Sequence, residues 1–160
     1  QSAGSQLHDI ITSPTVYLDP AKRAAAAPKV IPLLKKMAAL YHDAAELDPR
    51  FKEMLGSAET ERLSMMYLFG DADAEAKLKT MTASPDAATA LLAKTSLLEA
   101  DWSKTHSDPA AQKKVLDQME ALAKSHPDND DIAAVFDSMI QQGAASSDLR
   151  RALHGRPIPP

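Results

Sequence analysis

Residues 121–140, ALAKSHPDNDDIAAVFDSMI, hold a histidine and three aspartates within six positions and then turn apolar. They form either a metal-binding cluster or the corner between two helices, and the choice decides the fold. Pro127 pushes the residue before it out of the α region and so ends one helix. Asp128 or Asn129 carries the short oxygen-bearing side chain that caps the next, and Asp130 and Asp131 place negative charge at the positive end of its dipole. A calcium loop of the EF-hand type needs a glycine at its sixth position and a glutamate at its twelfth; counted from Asp128, those places hold Ala133 and Met139. The stretch is therefore expected to be a helical corner whose acids serve as cap and dipole partners.

The same helical grammar extends in both directions. Over 109–125 the apolar residues Val115, Leu116, Met119, Leu122 and Ala123 share one helix face, and over 130–141 Ile132, Val135, Phe136, Met139 and Ile140 do the same. Upstream, Ala88, Leu91, Leu92, Thr95, Leu98 and Trp102 mark a helix over 86–104, and Val30, Leu33, Leu34, Met37, Tyr41 and Ala44 mark another. A fifth stripe covers 51–69, with a break allowed at Gly56 and Ser57, and a short helix is expected over 74–81. Asp19-Pro20, Asp48-Pro49, Ser84-Pro85 and Asp108-Pro109 each join a capping side chain to a proline that suits the first helical turn, so each is expected to start a helix. Gly70 and Gly143, just past apolar stripes, are expected to end helices. Alternating β-branched runs are missing and aromatics make up only 4%. The fold class is all-α: about six or seven helices in antiparallel hairpins, forming a bundle or a short right-handed α-α superhelix.

Composition bounds the function. A chain of 160 residues is the size of one domain, expected here over 19–153, between an N-terminal segment at 1–18 and a Pro-rich tail or linker at 154–160. The net charge of −4 and scattered Lys and Arg argue against nucleic-acid binding, and no apolar run approaches the roughly 20 residues that span a bilayer. With no cysteine, these residues offer no disulfide, thiolate metal site or cysteine nucleophile. The opening QSAGSQLHD has the small polar residues that often follow a cleaved signal peptide. The expectation drawn from it is export, periplasmic or extracellular, with a cytoplasmic chain as the alternative.

His42 and Glu46, four apart on one helix, could share a metal ion, but two ligands are too few for a zinc site and a solvent-facing pair is expected. Asp71, Asp73 and Glu75 alternate as calcium ligands do, yet the sixth place is Ala76 and the twelfth Thr82. His8, His106, His126 and His154 fall at helix ends or in connections. All five glycines are isolated, so no phosphate-binding loop can be written, and no Gly-x-Ser-x-Gly elbow is present. Met54, Met65, Met66 and Met81 suit an adaptable groove but are expected in the core, as is Trp102, its indole N–H reaching a helix end. No catalytic, cofactor-binding or metal-ligating residue and no cofactor is assigned.

Two resemblances add to this. YHDAAELDPRF at 41–51 and MEALAKSHPDND at 119–130 resemble the second helix of a tetratricopeptide repeat and its exit, which implies helical hairpins presenting a surface to a protein or peptide partner. LHGRPIPP at 153–160 resembles the entry to exported thioredoxin-like and peroxiredoxin-like domains, which implies an N-terminal accessory region of a redox protein. The functional expectation is a noncatalytic interaction or scaffold domain for a protein or peptide; redox accessory domain and small-ligand binding between helices are the alternatives.

Overall fold

The computed structural model describes Val16 and residues 19–144, in which six helices follow one another without a strand. They are α1 (Pro20–Leu47), α2 (Pro49–Leu68), α3 (Ala72–Met81), α4 (Ala87–Lys104), α5 (Pro109–Ser125) and α6 (Asp130–Ala144). The all-α expectation holds across these residues. His8, His154, the QSAGSQLHD opening and the LHGRPIPP segment lie outside the described residues, as does the side chain of Met54.

Three of the four Asp/Ser-Pro starts act as expected. Asp19 accepts the Ala21 and Lys22 N–H groups at 2.9 and 3.2 Å, Asp48 accepts that of Arg50 at 3.0 Å, and Asp108 accepts those of Ala110 and Ala111 at 3.0 and 3.1 Å. Each thereby pairs donors that the helix itself leaves unsatisfied. The fourth is corrected: α4 begins after Asp86, not at Ser84-Pro85. Asp86 accepts the Thr89 N–H at 2.9 Å, because its carboxylate sits three residues ahead of the donor whereas Ser84 reaches only the Asp86 N–H. At the opening corner α5 ends at Ser125, Asn129 Oδ1 accepts the Ile132 N–H at 3.1 Å, and Asp130 and Asp131 occupy the first turn of α6.

Other boundaries shift. α2 runs through Gly56 and Ser57 without a break, and α6 includes Gly143, which is buried inside its last turn instead of ending it. Gly70 does terminate α2: at φ +91° it takes the left-handed conformation that costs other residues strain, and the Gly70 and Asp71 N–H groups return to the Tyr67 and Met66 carbonyls at 2.9 Å each. α1 carries two internal prolines, Pro28 and Pro32. Each removes the N–H that would pair with the carbonyl four residues back, at Ala24 and Pro28, and both of these residues are exposed, where water can take the freed carbonyls.

The described chain divides into two compact units, one reaching Ala100 and one starting at Asp101, so α4 contributes to both. In the first, α1 packs on α2 and α2 on α3. The one-residue connection at Asp48 forces α1 and α2 to run antiparallel. Val30, Leu34, Leu63, Met66, Tyr67, Leu68, Phe69, Ala74, Leu78 and Ala100 form its core. In the second, α5 packs on α6, with Val115, Leu116, Met119, Ile132 and Met139 buried. Trp102 is buried there as well, and its Nε1 donates to Gln142 Oε1 in the last turn of α6 at 2.9 Å.

Candidate functional site: a cleft between the first two helices

Antiparallel packing of α1 on α2 brings two side-chain rows face to face. Leu34, Met37, Ala38, Tyr41 and His42 come from α1, and Leu55, Ala58, Glu59, Glu61, Arg62 and Met65 from α2. They enclose a cleft of about 200 Å³. Leu34 is buried, whereas Tyr41 on the cleft wall remains 41% exposed; Leu40, 56% exposed, does not line the cleft.

The Asp, Glu, Lys and Arg side chains that line the cleft, Glu59, Glu61 and Arg62, all come from α2. Arg62 has a side chain only 15% exposed; it lies 3.6 Å from the Glu59 carboxylate and its Nη1 donates to Met66 Sδ at 3.3 Å. Glu61 is exposed. Its charge also acts on α4: Glu99 keeps an exposed side chain, yet partial desolvation, and then repulsion from Glu61, push its carboxyl above the ordinary carboxylate range. On α1, Asp43 and Glu46 follow His42 as exposed acids.

The sequence-derived candidates separate into caps, walls and core. His42 lines the cleft, Glu46 lies one turn further on, and neither makes a hydrogen bond or ion pair among the described residues. Asp71 is the N-cap of α3, accepting the Ala74 N–H at 3.0 Å, with Lys35 Nζ 3.3 Å from its other oxygen. Although its burial pulls the other way, the Ala74 N–H and the Lys35 ammonium hold its carboxyl below the usual range. Asp73 stands in the first turn of α3, and Glu75 pairs with Lys79 at 2.6 Å. His126 Nδ1 lies 3.1 Å from the Leu122 carbonyl at the end of α5, and His106 is exposed between α4 and α5. No three His, Cys, Asp or Glu side chains among the described residues gather as metal ligands. Of the methionines, Met66 is core, Met81 packs against the core, and Met65 is a wall of the cleft.

Sequence reasoning assigned Met37 and Tyr41 to a buried stripe and did not single out Leu55, Ala58, Glu61 or Arg62. The available signal was the i, i+3, i+7, i+10 row Leu55, Ala58, Arg62, Met65, which places a cation on an otherwise apolar face.

No protein-family model, curated protein or solved structure matches this chain. No helix among the described residues is long and apolar enough to cross a membrane.

Proposed function

We propose that this is a noncatalytic docking module whose α1–α2 cleft receives apolar side chains of a protein or peptide partner. The observation that carries the proposal is the 41% exposed Tyr41 on the wall of a cleft that also presents Leu34, Met37, Leu55 and Met65. A volume of about 200 Å³ falls below the ~300–1,000 Å³ of pockets that enclose drug-sized ligands, which favours a groove for a few side chains over a small-molecule pocket. Aromatic and methionine side chains at the wall suit this use: Tyr41 offers contact area at little entropic cost, and Met37 and Met65 can adapt to an occupant.

Pull-down from native extract tests it, with the wild type compared with Ala58→Trp, which fills the cleft, and Tyr41→Ala, which removes an exposed contact. A partner held by the wild type and lost from both variants, each still helical by circular dichroism, is the expected result. Equal capture by all three, or none by the wild type at low salt, contradicts the proposal.

A further inference from the structure

We propose that the outer side of α1 pairs with a second copy of this chain, the two helices running antiparallel about a twofold axis at Leu40. This side of α1 does not line the cleft, so the inference stands apart from the docking proposal.

The apolar part of the surface is a row. Leu33, Leu40 and Leu47 recur every seven residues, so they line up along one side of α1 with a drift of only ~20° per repeat. None of them lines the cleft: Leu33 is half-buried, Leu40 is 56% exposed and Leu47 is 87% exposed. From Leu33 to Leu47, at ~1.5 Å per residue, the ridge is about 20 Å long. Laid antiparallel on its own copy with Leu40 at the axis, it sets Leu33 of each copy against Leu47 of the other, so the most exposed leucine meets one that the fold already half covers.

The charge beside this row identifies the occupant. Lys36 and Asp43 are both exposed and flank the row, again seven apart, which puts them about 10 Å from each other along the axis, too far to pair. α3 and α5 neutralise such side chains within the helix, at Glu75–Lys79, Lys113–Asp117 and Glu120–Lys124. α1 offers no such pairing, because the residues three and four places from Lys36 include no acid and those from Asp43 no base. Neither side chain forms an ion pair among the described residues. Turning a second copy end to end brings Lys36 of each beside Asp43 of the other, once on each side of the axis, so the surface is its own complement. A parallel pair sets lysine against lysine, and an anionic lipid surface meets Asp43 in the middle of the row.

Sedimentation velocity of the intact protein over a concentration series provides the test. The wild type should show a reversible monomer–dimer equilibrium that weakens with added salt. Leu40→Glu, at the axis, should weaken it at least tenfold, and Lys36→Glu or Asp43→Lys alone should weaken it about tenfold, since each turns two attractions into two repulsions. Mixed one to one, these two charge variants should dimerise with each other, and the double variant Lys36→Glu/Asp43→Lys should recover the wild-type affinity. Ala58→Trp, in the cleft, should leave the dimer intact. A wild type that stays monomeric up to about 1 mM, a dimer indifferent to Leu40→Glu, or charge variants that fail to complement each other while remaining helical by circular dichroism overturns the inference.

Discussion

The Ser64 hydroxyl on α2 donates to the Ser96 backbone carbonyl on α4 at 3.1 Å. A short side chain on one helix can reach the main chain of another only where the two backbones pass close together. The sequence of α4 allows it: Ala90, Ala93, Ser96 and Ala100 are buried, with Ala93 fully so, while Leu91, Leu92, Leu97 and Leu98 stay half-buried. Ala93→Leu is therefore expected to destabilise the fold by about 1–3 kcal/mol through overpacking, measured by denaturant midpoint. No loss would mean that α4 is loosely packed at this position.

That stripe also marks where sequence reasoning stopped. Apolar periodicity located α4 to within a residue, and of its stripe Ala88, Leu91, Leu92, Thr95, Leu98 and Trp102 the structure buries Thr95 and Trp102 but leaves the three leucines half-buried. Close helix approach rewards the smallest residues instead, and Ala88 is exposed. Caps were legible because Asp19, Asp48, Asn129 and Asp108 act on N–H groups two or three residues away. The cleft was not, because which face of α1 meets which face of α2 depends on side chains more than ten residues apart, and Tyr41 has the same periodicity whether covered or open.

Trp102 and Gln142 join two helices of the second unit through one hydrogen bond. Gln142→Ala should cost about 1 kcal/mol, since the buried indole N–H loses its partner, and should affect the unfolding of this unit. Gln142→Glu, which keeps an acceptor, should cost less. Trp fluorescence followed through denaturant titration reads both, and equal stability of all three proteins would show that water replaces Gln142 without penalty.

Opposite outcomes are expected at two glycines. Gly56 lies inside α2 with open space where a Cβ would stand, so Gly56→Ala should stabilise by about 1 kcal/mol. Gly70, at φ +91°, has space as well but the wrong backbone for an L side chain, and Gly70→Ala should destabilise by about 1–2 kcal/mol. Thermal unfolding monitored by circular dichroism separates them; a shared sign would contradict the assigned geometry.

Asp71 ties the start of α3 to Lys35 of α1. Asp71→Ala should cost about 1 kcal/mol at neutral pH through loss of the cap. Because the folded carboxyl is held below its unfolded value, its contribution is present above about pH 4 and is lost as pH falls through the folded value. Asp71→Asn keeps a capping oxygen and removes the charge, so its deficit against the wild type should be small, constant above about pH 5, and closed at the acid end. A deficit that grows on acidification would contradict the depressed carboxyl.

Methionine methyl resonances test the central claim most directly. In protein labelled at its methionine methyl groups, Met37 and Met65 report from the cleft, while Met119 and Met139 are buried in the second unit. Titration with a peptide selected from a randomised library against the intact protein should shift Met37 and Met65 saturably and leave Met119 and Met139 in place. Saturable binding that leaves Met37 and Met65 unmoved would contradict the assignment of the α1–α2 cleft as the docking site.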